Sequence, residues 1–303
     1  VGSYIRWRLL ISIPVLLAVT VIIFTLLQFT PGDPLDAYAP PDQVLTEERR
    51  QALERQLGLD RPLPVQYVHW LREAASGNLG YRSKNFRPVL GTILDHLPPT
   101  LWLMALGLTV GIVVGIGFGI IVAVRPNTFL DSLFSFLSFL GISTPAYLAA
   151  LIALYVFSLK LEWFPVGGVS TPGGGSFADR FHHLVLPAFV LSINQVAIIM
   201  RYTRSSMLGV LGQDYVRTAR AKGAREYRVV GYHALRNALI PVVTVIGANI
   251  PVLLGGAVFI ESVFSWPGMG LLFLDGVYSR DYPLIMGMTL ILAIAVLVVN
   301  LLT

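Results

Sequence analysis

Residues 9–29 read LLISIPVLLAVTVIIFTLLQF, a run without a single charge. A helix that crosses the hydrocarbon core of a bilayer needs about 20 mostly apolar residues. Five more runs of this kind follow, at about 100–124, 133–157, 184–200, 241–260 and 284–302. The sequence therefore predicts six transmembrane helices. Gly111, Gly115, Gly117 and Gly119 punctuate the second run, and small residues let helices approach closely in lipid. Ser143-Thr144-Pro145 is placed to kink the third. The fourth carries Ser192, Asn194 and Gln195 inside it.

Composition agrees. Of 303 residues, 55% are hydrophobic and only 13% charged, where a soluble domain carries about 25%. Mean hydropathy is +0.70. Disorder is excluded by the apolar content. There is no cysteine, which removes disulfides, thiolate metal sites and a cysteine nucleophile. Arg6 and Arg8 precede the first run as they would in a signal peptide. That run is long for one and no small-x-small cleavage site follows, so an uncleaved first span is expected.

Lys and Arg placement sets the expected orientation. With the N-terminus inside, segments 1–8, 125–132 and 201–240 hold 11 basic residues against Asp131, Asp214 and Glu226. Both termini are then cytoplasmic, and the net charge of +5 needs no nucleic acid to explain it.

Three segments lie outside lipid. Residues 30–99 predict a small extracytoplasmic helical subdomain between the first two spans. Thr46 would cap a helix carrying Glu47 and Glu48 at its start, an apolar stripe of Ala52, Leu53 and Leu57, and a stop at Gly58. A second helix is expected over Val65–Ala75 with Val68 and Leu71 inward, ended by Gly77. Such a cap suits docking of a partner. The segment 158–183 holds a Gly-rich turn and the pair His182-His183. Adjacent side chains point apart on a helix, so the pair does not read as a metal site. The segment 201–240 is too long for a tight turn and too basic for lipid. Asp214 to Gly223 reads as a short helix with Val216, Ala219 and Gly223 on one small-residue face. Arg217, Arg220 and Lys222 spread around the rest. A second basic helical piece follows from Arg225 to Arg236, and Ala238 to Pro241 re-enters the membrane. The small-residue face fits a partner's groove; a solvated positive-inside loop fits equally well.

The motifs of several chemistries are missing. There is no G-x-x-x-x-G-K-[ST] phosphate cradle, and no G-x-S-x-G or H-E-x-x-H. The spans are almost free of the ionisable residues on which secondary transporters rely for coupling ions. Polar residues inside spans belong in the bundle interior or a wet cavity. Asn194, Gln195 and Asn249 are thus candidates for a translocation path, with Glu261 at the end of the fifth span.

Asp214-Tyr215-Val216-Arg217-Thr218-Ala219-Arg220-Ala221-Lys222-Gly223, followed by His233-Ala234-Leu235-Arg236-Asn237-Ala238-Leu239-Ile240-Pro241, resembles the cytoplasmic "EAA" loop of ABC importer permeases, in particular their dipeptide/oligopeptide/nickel branch. Pro31-Gly32-Asp33-Pro34, Leu57-Gly58-Leu59-Asp60-Arg61-Pro62, Gly77-Asn78-Leu79-Gly80, Ser143-Thr144-Pro145 and Glu261-Ser262-Val263-Phe264-Ser265-Trp266-Pro267-Gly268-Met269-Gly270 extend the likeness along the chain. The long first outer loop looks like the B-type subunit. Where the broader family opens the loop with an acidic and two small residues, this chain has Arg217, Thr218 and Ala219. The interval from Gly223 to Pro241 is longer than in the maltose-type pattern.

The resemblance implies an all-α type I importer permease fold: an N-terminal helix over 1–29, the outer subdomain over 30–99, and a core of five spans over 100–303. It implies a non-catalytic subunit of an ATP-driven importer for di- or oligopeptides in a prokaryotic inner membrane. Asp214, Tyr215, Val216, Arg217, Ala219, Arg220, Ala221, Lys222 and Gly223 would couple it to two cytoplasmic ATPases. Those would hold the ATP and Mg, and this chain no cofactor or metal. A second, similar permease and an external binding protein would complete the assembly. The alternative is a self-sufficient secondary transporter of small solutes.

Overall fold

The computed structural model describes residues 2–29 and 47–302. Among them regular structure is helical, apart from one antiparallel bridge between Tyr81 and Pro88. The helices are α1 (Gly2–Gln28), α2 (Glu47–Leu57), α3 (Leu63–Ala75), α4 (Val89–Val124), α5 (Phe129–Ser143), α6 (Ala146–Ala153), α7 (Phe177–Leu211), α8 (Asp214–Ala221), α9 (Glu226–Arg228), α10 (Leu235–Val263), α11 (Met269–Tyr278) and α12 (Tyr282–Leu302). π-helical turns continue α6 over Leu154–Lys160 and join α9 to α10 over Val229–Ala234. Five helical runs are long and apolar enough to cross a membrane, and a sixth forms if α5 and α6 count as one span.

The long helices overrun their apolar stretches. α4 begins at Val89 rather than near Thr100, and α7 covers Phe177–Leu211 rather than 184–200. Apolar counting finds the part in lipid, whereas backbone hydrogen bonding carries the helix on into water. The third run behaves differently. Its two arms meet at 105°. Thr144, the residue before Pro145, is forced to an extended ψ of 120°, and Pro145 then opens α6. Arms of about 15 residues span about 22 Å each, short of the about 30 Å of hydrocarbon.

The chain forms two compact units, Val1–Pro98 with Leu271–Leu302, and Pro99–Gly270. In the first, α12 pairs with α1. The Tyr67 hydroxyl meets Thr20 Oγ1 at 3.0 Å, and its ring stands edge-on to Phe24 at 5.6 Å. This contact sets the face of α3. Tyr67, Trp70, Leu71 and Ala74 are half-buried, while Val68, expected inward, is 62% exposed. The large aromatic rings bury more area than Val68 could and so rotate the helix by part of a turn. Ala52, expected on the stripe of α2, is exposed. Thr46 and Pro31 to Pro34 lie outside the described residues.

A buried ion cluster closes this unit. Arg82 Nη2 donates to Asp275 at 2.6 Å and Nε to Asp281 at 3.0 Å. Ser83 N also donates to Asp281, at 3.2 Å. Asp281 is fully buried. Burial works against the charge on Asp275, but the hydrogen bonds from Arg82 and Lys84 outweigh it and hold its carboxyl below the usual range. The stability that the charged Asp275 adds is present above about pH 4 and fades as pH falls through the lowered value.

In the second unit α4 lies against α7 along a line of glycines. A Cβ on Gly111 would stand 2.6 Å from Gln195 Cβ; on Gly115, 2.9 Å from Ile199 Cβ; on Gly119, 2.5 Å from Thr203 Cβ. Gly107 faces Leu191 at 3.2 Å. The step of four residues puts all four on one helix face. Gly117, off that face, has open space around it. α7 also packs on α5, α6 and α10.

Gly115→Leu should force α4 from α7 and cost about 1–3 kcal/mol, seen as a lower unfolding temperature in detergent, while Gly117→Leu should leave it unchanged. Asp281→Ala leaves Arg82 Nε and Ser83 N–H without their buried acceptor, while Asp275 keeps Arg82 Nη2, and should cost about 1–3 kcal/mol, measured by the same melting assay.

Candidate coupling surface

α7 ends at Gly212, and Gln213, extended at ψ 150°, turns the chain into α8. Asp214 lies in the first turn of α8 and Arg220 in the last, the placement a helix dipole favours. The end of α8 is a Schellman motif. Gly223 takes φ +79°, its N–H donates to Arg220 O at 2.9 Å, and Ala224 N–H donates to Ala219 O at 3.2 Å. A side chain at Gly223 would be strained even though nothing crowds it.

Val216 and Ala219 do share one face of α8, and that face is turned onto the chain itself. Both are buried against Val229 of the π turn, with Val210, Leu211 and Ala224 around them. The groove that the small residues fill is thus this chain's own. The surface left outward carries Asp214, Tyr215, Arg217, Thr218, Arg220, Ala221 and Lys222. Arg220 forms a two-bond fork with Glu226 at 2.7 and 3.2 Å. That hydrogen bonding raises the Arg220 pKa against a small opposing effect of burial. Asn237 Nδ2 donates to the Tyr215 hydroxyl at 2.7 Å. Arg217 and Asp214 pair at 3.7 Å, both well exposed, which is worth little. α8 is thus held at three points to the stretch that becomes α10: by apolar packing, by an ion pair and by a hydrogen bond.

The fork between Asp131 and Arg204, at 2.6 and 2.7 Å, binds the start of α5 to α7. Asp131 also accepts from Asn127 N–H at 3.0 Å, and the Ser206 hydroxyl ties α7 to Ala238 O of α10 at 2.8 Å. In the sequence Asp131 and Arg204 were only charges in a tally. Thr128-x-x-Asp131 is a helix-start pattern that could have marked one half; a partner 73 residues away leaves no local trace.

The four polar candidates for a path stand in different settings. Gln195 is buried in the α4–α7 seam with no partner for Oε1. Asn194 is half-buried on α7. Asn249 donates to Val245 O of its own helix at 2.8 Å. Glu261 is fully buried; it accepts from the Thr100 hydroxyl at 2.5 Å and from Gly270 N–H at 2.6 Å. With Trp266 Nε1 donating to Pro99 O at 3.0 Å, it fastens the loop 264–270 to the start of the second span. His182 and His183 bond to carbonyls of Trp163, Gly167 and Gly168. Among the described residues no group of three or more His, Asp or Glu could hold a metal ion.

Two family models match the chain. The binding-protein-dependent transport system inner membrane component covers residues 115–303, and the N-terminal part of such membrane components covers residues 3–104. The chain is 58% identical to a putative peptide permease protein of Brucella suis over 99% of its own length and 95% of the relative's. It is 44% identical to the oligopeptide transport system permease protein AppB of Bacillus subtilis, over 99% and 95%. It is 39% identical to the glutathione transport system permease protein GsiC of Escherichia coli K12, over 99% and 94%. This chain belongs to the family of inner-membrane components of binding-protein-dependent transport systems, and is an integral membrane protein.

Because Val216 is buried on the inner face of α8, Val216→Asp should detach the helix, at about 1–3 kcal/mol or more for an unpaired buried group. The expected readout is faster proteolysis between Gly212 and Arg228, whereas Thr218→Asp on the outer face leaves cleavage at the wild-type rate.

Proposed function

We propose that this chain is one of two similar but distinct permease subunits of an ATP-driven peptide importer, and that the outer face of α8 docks on a cytoplasmic ATPase. The observation that carries this reading is the construction of α8. A surface helix of eight residues is marginal by itself. Here it is capped at Gly223, packed through Val216 and Ala219, and braced by Arg220–Glu226 and Asn237–Tyr215. A push on its exposed face is transmitted through these ties to the start of α10, which is what a lever between two discrete arrangements requires. Residues 201–240 and both termini are then cytoplasmic.

The names of the relatives support peptides as cargo. ATP and Mg belong to the two ATPase partners, and this chain performs no chemistry. An external binding protein delivers the substrate to the side bearing residues 30–99. Asn194 and Asn249, half-buried on α7 and α10, are the better candidates for contact with it. Gln195 and Glu261 are spent on packing and on the 264–270 loop.

Affinity purification from native membranes, with mass spectrometry, should recover a second permease and Walker-motif ATPases. In that complex Thr218→Trp or Arg217→Glu should cut transport about tenfold or more while ATP hydrolysis persists. A homogeneous chain that transports peptide alone in liposomes overturns the reading.

A further inference from the structure

From Arg225 onward the chain rises as one helical run, Glu226–Val263, into the membrane. Arg228, Tyr232, Arg236, Ile240 and Val243 succeed one another along it at steps of four, four, four and three. In an unbroken α-helix, eight residues drift by about 80° around the axis. The π turn over Val229–Ala234 winds more slowly and takes back part of that drift, so these residues hold to one face. The face is open: Tyr232 is 59%, Ile240 68% and Val243 62% exposed. Arg236 lies over the Tyr232 ring at 4.3 Å, and Arg228 over Tyr227 at 5.9 Å. Among the described residues neither arginine has a carboxylate partner. The nearby Glu226 is engaged by Arg220.

We propose that this face binds an anionic phospholipid of the bilayer, its phosphate held between Arg228 and Arg236 beside Tyr232, and an acyl chain along Ile240 and Val243. Charge and polarity change together along the stripe, and that order selects the occupant. A soluble acidic protein would meet the arginines but not cover Ile240 and Val243, which lie where the apolar run begins. A neighbouring transmembrane helix would cover those two and leave two cations unanswered. A phospholipid presents an anion and a hydrocarbon chain in the required sequence. Guanidinium forks suit phosphate oxygens, and tyrosine favours the headgroup level.

The test uses the whole transporter complex in phosphatidylcholine nanodiscs doped with photoactivatable phosphatidylglycerol or photoactivatable phosphatidylcholine, with labelled peptides mapped by mass spectrometry. Wild type should be labelled within 228–243 by phosphatidylglycerol and far less by phosphatidylcholine. Arg228→Gln with Arg236→Gln should lower labelling roughly thirtyfold, at about 1 kcal/mol per basic residue near the surface. Tyr232→Leu, which keeps both charges, should lower it several-fold. Arg125→Gln with Arg201→Gln removes the same charge elsewhere on the chain and should leave it unchanged. Inorganic phosphate should not compete. Equal labelling by both lipids, equal loss in the Arg125/Arg201 variant, competition by phosphate, or labelling of the isolated chain that vanishes in the complex would each overturn the proposal.

Discussion

The fold of the second unit depends on atoms that are absent. With no Cβ at Gly111, Gly115 and Gly119, α4 sits on the side chains of Gln195, Ile199 and Thr203 at distances no other residue allows. Between helices in lipid there is no hydrophobic gain to exploit, because the tails are as apolar as the side chains. Close packing must supply the attraction instead, through many small dispersion contacts. The glycine line provides it, and fixes which face of α7 is left for α5, α6 and α10.

α7 is therefore the organising element, and the polar bonds that tie it to α5 and α10 are placed at one end. The Asp131–Arg204 fork and the Ser206–Ala238 bond fasten α5 and α10 to it close to where it leads into α8. An ion pair half-withdrawn from water is directional in a way that apolar packing is not. The stretch before α8 is thus fixed in position, and α8 inherits its orientation through Val216 and Ala219.

Much of this was legible in residue order. Apolar run length located the membrane helices, Gly223 stopped α8 as read, and Thr144-Pro145 broke the third run. What was not legible is what depends on distant partners. Val216 and Ala219 were correctly placed on one face, yet periodicity states that a face is buried and not against what; Val229 could not be read as their neighbour. On α3, Val68 was expected inward because helical spacing permits it, and only the meeting of Tyr67 with Thr20 and Phe24 decides the rotation. Glu261 looked like a charge at a membrane edge. Its bonds to Thr100 and Gly270 show a fastening, and Thr100 lies 161 residues away.

The 105° turn at Thr144-Pro145 bears on how the protein enters the bilayer. An uninterrupted apolar helix of full length partitions into lipid by itself. Neither α5 nor the run from Ala146 to Lys160 has that reach, and the turn between them interrupts the backbone hydrogen bonding that lipid demands. Biogenesis of this stretch thus requires the later helix α7 to be on hand to shelter it. The chain must complete α7, which ends at Leu211, more than 60 residues past the turn, before the earlier segment settles, so the order of synthesis and the order of membrane integration are uncoupled at this one position.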